Sequence, residues 1–358
     1  MRLLLNMIVK NEAANLPRCL DAIGPHVIGA AITDTGSTDD TVKIITDWFR
    51  AHGKEVWINH APFEDFSQAR NAALRHARSL THIDWDYIIL CDADMELKVE
   101  TVWPKLTGKA YALMQTNGLL RYYNVRLLHR TETVEYVGKT HECLIPETPP
   151  VAIQNGIWFQ DHETGSNRAD KYIRDIRLLK EEILADPLNP RNVFYLAQSL
   201  VGAGMIERAR EMCDFRVRMG GHPEEIYWCL FQAAQLDAQL NRDDALIEHE
   251  YIQAYHFRPI RAEPLHHLAK HHAKLGQNRV ALLYASVAAS MTRPDEVLPV
   301  ELAVYEWMAL DTLLIVAAAC GDNVWARWAA KALRKRKVPL DNVLRIKENI
   351  DATIGKKK

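Results

Sequence analysis

The stretch DYIILCDADMEL, residues 86–97, decides how the first half of the chain folds. Tyr87–Leu90 is apolar at every position, the pattern of a short strand covered by helices on both faces. Upstream, similar runs alternate with helical patterns: Leu3–Val9 then Leu16–Ile23, Val27–Thr33 then Thr41–His52, and Glu55–Asn59 then Phe66–Leu80. This alternation predicts βαβ units, hence an α/β domain built on a Rossmann-like, mostly parallel sheet. Downstream, AYALMQT (110–116), Asn117-Gly118 and LLRYYNVRLLHR (119–130) read as an antiparallel hairpin with a primed turn.

Ligands of such sheets bind beyond the carboxyl ends of the strands, so the residues after each run are the candidates. Asp92 and Asp94 follow the Tyr87–Leu90 run. Side chains two apart on a strand share a side, so the pair is expected to converge on one cation. Carboxylates crowded there are costly unless a metal or a cationic group lies between them, and oxygen ligands suit Mg²⁺ or Mn²⁺ bridging a diphosphate. In AAITDTGSTDDT (30–41), Asp34 is set to accept a hydrogen bond from a nucleobase while Ser37 and Thr38 cap the next helix; a plain helix start is the alternative. In MIVKNEAANL (7–16), Glu12 could hold a ribose hydroxyl pair or serve as a solvated cap. In DFSQARNAAL (65–74), Arg70 could reach a phosphate or the Asp92 pair, a surface arginine being the alternative.

From about Asp170 strand signals vanish and a repeat of about 35 residues emerges. Ala197, Ala234 and Ala269 are each followed seven residues later by Gly204, Asn241 and Gly276; Ala209, Ala245 and Ala281 continue the series, and Pro223, Pro259 and Pro294 close the units. This pattern resembles tetratricopeptide repeats and predicts all-α helical hairpins, with an unrelated helical bundle as the alternative. The domains are drawn at 1–165 and 166–358. A net charge of −2 gives no overall pull toward nucleic acid or anionic lipid. Six cysteines without a CxxC pair point to buried thiols in a reducing, cytoplasmic setting rather than to disulfides or zinc. The most apolar late stretch, Val300–Cys320, carries Glu301, Glu306 and Asp311, so no transmembrane segment is expected. The basic run from Arg327 to Lys337 and the Lys356–Lys358 tail read as a solvated terminal face.

IVKNE, DTGSTD, the Phe66-x-x-x-Arg70-Asn71 segment and DAD, in this order, resemble the inverting family 2 glycosyltransferases of the GT-A fold, over roughly residues 2–165. The resemblance implies that Glu12 and Asp34 contact the nucleoside and that Arg70 lies near the base or phosphates. Asp92 would support the ribose or metal, and Asp94 would ligate the Mn²⁺ or Mg²⁺. It further implies a late metal ligand, for which His162 in IWFQDH (157–162) stands, and an acceptor-side general base, for which Glu142 in YVGKTHECLI (136–145) stands with Asp161 second. A QxxRW signature is absent from the sequence, which argues for transfer of a single sugar. The expected partners are a nucleoside-diphosphate sugar donor, UDP-linked, and an acceptor hydroxyl or thiol on a peptide, glycan or nucleic-acid base. The helical half would serve as acceptor platform or homodimer interface. Two rivals stand beside this reading: an inactive repeat-based scaffold, and a nucleotidyltransferase, which would open with a Gly-rich loop where this chain has IVKNEAANL.

Overall fold

The computed structural model describes residues 1–117, 121–164, 171–296, 298 and 300–354. It divides into two compact units, 1–195 and 196–358.

The first unit runs β1 (Leu3–Val9), α1 (Leu16–Ile23), β2 (Gly29–Asp34), α2 (Thr41–Ala51), β3 (Glu55–His60), α3 (Phe66–Ser79), β4 (Tyr87–Leu90), β5 (Met95–Val99), β6 (Ala110–Thr116), β7 (Arg121–His129), β8 (Tyr136–Val137), β9 (Cys143–Leu144), β10 (Val151–Asp161), α4 (Lys171–Ala185) and the start of α5 (Pro190–Gly202). Eight strands form one sheet in the order β3-β2-β1-β4-β7-β6-β10-β5, and β8 pairs with β9 separately. Only β7 and β5 run against the other six. The β6–β7 pairing is antiparallel as expected, while the turn at Gly118 lies outside the described residues.

The strand period explains the layering. Leu3, Leu5, Met7 and Val9 pack with α1 and α2 through Leu16, Leu20, Ile45 and Phe49. Leu4 packs on the other face with Ala31, Ile88 and the α3 residues Leu74 and Ala77. Asn6 keeps its place on that face because its buried Nδ2 donates to the carbonyls of Ala31 (3.0 Å) and Ala73 (2.9 Å). Asp65 caps α3, its carboxylate accepting from Gln68 N at 2.8 Å, and so starts the helix that carries Arg70. Ser37 and Thr38 do not cap α2 as the sequence suggested. Asp40 is the N-cap residue without a side-chain bond, and the Asp39 carboxylate accepts from Thr41 N instead.

The second unit continues with α6 (Ile206–Met219), α7 (Pro223–Gln239), α8 (Asp244–Phe257), α9 (Glu263–Lys274), α10 (Asn278–Ser290), α11 (Ala309–Ala319), α12 (Asn323–Leu333) and α13 (Leu340–Ile354). Gly204, Asn241 and Gly276 all adopt left-handed φ values, of 72°, 52° and 75°, and turn one helix into the next. Gly321, at φ 71°, makes a fourth such turn. Ala197, Ala234 and Ala269 are fully buried where helices meet. Ala245 is exposed, contrary to its place in the repeat. Because α8 begins at Asp244, the position three residues in, held by buried Ala209 in α6 and Ala281 in α10, falls on Ile247. Pro223 opens α7 rather than closing α6, its missing N–H costing nothing at a first helical position. Among the described residues no helix is long and apolar enough to cross a membrane.

Candidate active site

Every motif residue after β1, β2 and β4 stands at the carboxyl rim of the sheet, where the next stretch of chain leaves the strand. The rim is tied together by short loops. Asn11, at φ 55°, donates its N–H to Ser37 Oγ (3.0 Å) and accepts at Oδ1 from Thr38 N (2.7 Å), joining the β1 and β2 loops. Glu12 N donates to Thr41 Oγ1, and the Glu12 carboxylate accepts from Asn15 Nδ2 at 2.8 Å. Asp34 is buried and accepts from Ser37 N at 3.1 Å, with His60 Nδ1 3.3 Å away.

The β4 strand stops at Leu90, so Asp92 and Asp94 lie in the following turn and the two-residue strand period does not govern them. Asp92 meets Arg70 Nη2 at 2.7 Å and Arg126 Nη1 at 3.2 Å. Arg70 Nε donates to Glu142 at 2.5 Å, Arg126 Nη2 donates to Gln115 Oε1 at 2.8 Å, and Gln115 Nε2 reaches Asp161 at 3.4 Å. Glu142, Arg70, Asp92, Arg126, Gln115 and Asp161 thus form one continuous polar chain, which joins both candidate bases to the first aspartate of DAD. Tyr136 stacks its ring under the Arg70 guanidinium, 5.5 Å from its centre.

Burial pushes the Asp92 carboxyl up, but Arg70 and Arg126 outweigh it and hold the group at about 2, below its ordinary 3.8. A depressed carboxyl stabilises the fold above the unfolded value and loses that contribution as pH falls toward the folded one. Asp92→Asn is therefore expected to flatten the stability curve between pH 4 and 2, followed by urea unfolding at each pH. An unchanged acid limb would contradict the pairing.

Arg126 and Gln115 were not singled out from sequence. Tyr111 pairs with Leu127 and Ala112 with Val125, which leaves Arg126 as the extra residue of a bulge in β7. A bulge re-aims a side chain, and here it turns a buried arginine toward Asp92. The one trace of it in the sequence is the broken alternation of Val125-Arg126-Leu127-Leu128.

Asp94 and His162 are neighbours through backbone: His162 N donates to Asp94 O at 3.2 Å, across the antiparallel β10–β5 pair. Arg18 Nη2 also reaches Asp94 O, at 3.4 Å. His162 Nε2 lies 3.0 Å from Glu96, which fixes the ring and leaves Nδ1 for another partner. Among the described residues no group of three or more His, Cys, Asp or Glu is gathered into a metal cage. A Mg²⁺ or Mn²⁺ shared with a diphosphate needs only one or two protein carboxylates, and Asp94 and His162 are the residues that would hold such an ion here.

The loop that carries Glu142 is held from α4. Thr140 Oγ1 donates to Asp175 at 3.1 Å, both groups buried, and Lys139 N donates to Glu182 at 2.9 Å. His141, at φ 51°, stacks on Tyr195 with ring centres 4.0 Å apart. The sequence-drawn boundary at 165 falls outside the described residues, whereas the compact unit includes α4.

Burial drives the His141 imidazole down to about 4 from 6.5. Its neutral form is the stable one, so its contribution is complete above pH 6.5 and shrinks as pH falls toward 4. His141→Asn tolerates the left-handed backbone. It should lessen the loss of stability between pH 6.5 and 4 in thermal melts; an identical slope would sink the assignment.

The family described as Glycosyl transferase family 2 matches residues 6–141. The glycosyltransferase SunS of Bacillus subtilis, prophage-derived, is 25% identical over 228 residues, 58% of this chain and 51% of that protein. A TPR repeat-containing protein of Synechococcus elongatus is 40% identical over 103 residues, 29% of this chain and 23% of that protein. The chain thus spans about half or less of the length of these curated relatives. Among solved structures, YrrB, a TPR protein, aligns with 50% of this chain and 85% of its own at 12% identity and a TM-score of 0.37. The alternating α/β order, the motif stretches along one sheet rim and the family match agree on the same segment: residues 6–141 match the glycosyl transferase family 2 model.

Proposed function

We propose that the N-terminal unit is a metal-dependent, inverting transferase. It moves one sugar from a nucleoside-diphosphate donor, UDP-linked in the first instance, to an acceptor hydroxyl or thiol. The observation that carries this reading is the polar chain from Glu142 to Asp161 at the carboxyl rim of the sheet. Two guanidinium groups there lie among carboxylates, and Arg126 Nε is buried without a partner. A donor diphosphate supplies the acceptor oxygens such cations take.

In this reading Glu12 and Asp34 bind the nucleoside, and Asp92 positions Arg70 and Arg126 toward the phosphates. A divalent ion held by Asp94 and His162 would neutralise charge on the departing diphosphate. The acceptor oxygen or sulfur attacks the anomeric carbon opposite the diphosphate. The carbon–oxygen bond to phosphate breaks, its electron pair leaves with the nucleoside diphosphate, and the acceptor proton passes to Glu142. In the free protein the Glu142 carboxylate is engaged by Arg70 Nε. Phosphates that draw the Arg70 guanidinium away would free the Glu142 oxygen for the acceptor proton, so donor binding would prepare the proton acceptor. The helical hairpins offer surfaces for an extended peptide acceptor.

A second reading gives the base role to Asp161, whose partners among the described residues are the amides of Gln115 and Glu163 rather than a cation. Paired variants separate the two. Glu142→Gln should keep donor binding and lower transfer by roughly 10² or more, with Asp161→Asn close to the parent. The reverse pattern, read from single-turnover transfer, would move the base to Asp161. Donor binding by the parent without transfer to any peptide, glycan or nucleoside acceptor would favour the inactive scaffold.

A further inference from the structure

The helical unit contains a cavity of about 410 Å³, within the range of small-ligand pockets. Its wall includes His266 and Lys270 from α9, Trp307 from a π-helical turn at Val304–Met308, Asp311 and Ile315 from α11, and Arg345 from α13. Stretches of π-helix are uncommon and recur at functional sites, because they re-aim the side chains they carry.

Three features of this cavity stand out. His266 is 1% exposed, and neither of its ring nitrogens has a partner. Burial drives its imidazole down to about 3, so the ring is neutral and offers one N–H donor and one acceptor. An unsatisfied buried polar group costs stability unless something entering the cavity meets it. Arg345 spends its charge on Asp311, through bonds of 3.2 and 2.8 Å. Lys270 has no ion-pair partner among the described residues. The cavity therefore has a net positive charge from Lys270, the neutral, unpartnered imidazole of His266 in its lining, and an apolar wall in Trp307 and Ile315. Ile315 is 45% exposed.

We propose that this cavity binds a carboxylate next to an apolar group. The carboxylate meets the Lys270 ammonium and the His266 N–H, and the apolar group lies on Trp307 and Ile315. A free amphipathic acid and the C-terminal residue of a peptide present the same chemistry. The site is independent of the transferase reading and stands if that reading fails.

Calorimetric titration of the full chain tests it. The probes are N-acetyl-leucine, N-acetyl-leucinamide, and the peptide Gly-Ser-Gly-Leu with a free or an amidated C-terminus. The acids should bind at least about tenfold more tightly than their amides, as a charge-assisted contact requires. Lys270→Met, an exposed substitution that keeps the fold, should weaken the acids by a similar factor and leave the amides unchanged. A free-acid peptide that binds more tightly than N-acetyl-leucine assigns the cavity to peptide ends; equal affinity assigns it to small acids. Equal binding of acids and amides, insensitivity to Lys270→Met, or no binding of any probe at about 10 mM would overturn the proposal.

Discussion

Asp94→Ala is expected to reduce sugar transfer by roughly 10³ and to remove its dependence on Mn²⁺, because a metal on the leaving diphosphate supplies several kcal/mol of charge stabilisation. The substitution should leave the fold intact. The bonds from Arg18 and His162 go to the backbone carbonyl of residue 94, which alanine keeps. Calorimetric melts should therefore match the parent while metal-dependent donor affinity is lost. Undiminished Mn²⁺-dependent transfer by this variant would contradict the role given to Asp94, and a collapsed melt would make it structural.

The second large effect concerns Arg70. Its guanidinium serves two carboxylates at once, Asp92 through Nη2 and Glu142 through Nε. Both carboxylates, like the arginine, are largely buried, with side-chain exposures of 22% and 12%. Arg70→Met removes the shared cation and leaves the negative charges facing each other, which should cost about 3 kcal/mol of stability, together with most of the transfer activity. Arg70→Lys should rescue little, because a point charge cannot reproduce the two-armed fork. Glu142→Gln added to Arg70→Met should cost less than the sum of the two, since removing one charge relieves the other. Urea unfolding of the four variants reads this coupling. Strict additivity would mean that the Arg70–Glu142 contact contributes nothing to stability.

β1, β2 and β4 were legible because those strands are covered on both faces, so burial writes itself as an unbroken apolar run. Tyr87–Leu90 and Leu3–Val9 are strands over those residues, and Leu16–Ile23 is a helix over those residues. The left-handed turns at Gly204, Asn241 and Gly276 were visible for a similar reason, since glycine and asparagine are the residues that tolerate that backbone. Position along the sheet rim was legible too, because the motif residues directly follow strands.

Partnership was not legible. Arg126 reaches Asp92 through a bulge, a backbone irregularity that no periodic pattern encodes. Gln115 sits at the end of an apolar strand and looked like one more strand residue until it bridged Arg126 and Asp161. Ser37 and Thr38 have the composition of a helix cap, yet their bonds go across to Asn11, a choice set by the neighbouring loop rather than by their own sequence. Ala245 failed because a repeat read by residue spacing cannot see that α8 starts a little later than its counterparts. The cavity in the helical unit left no mark of this kind, since its polar groups come from helices far apart in the chain.

The most direct test of the transferase reading is the thermal unfolding of the full chain against a panel of nucleoside diphosphates and nucleotide-sugars, each with and without Mn²⁺. The account predicts a stabilisation of about 2–3 kcal/mol at ligand concentrations near 100-fold above Kd, seen only with metal and strongest for one base. No shift with any member of the panel, or shifts indifferent to Mn²⁺, would contradict a metal-dependent donor site at the rim of the sheet.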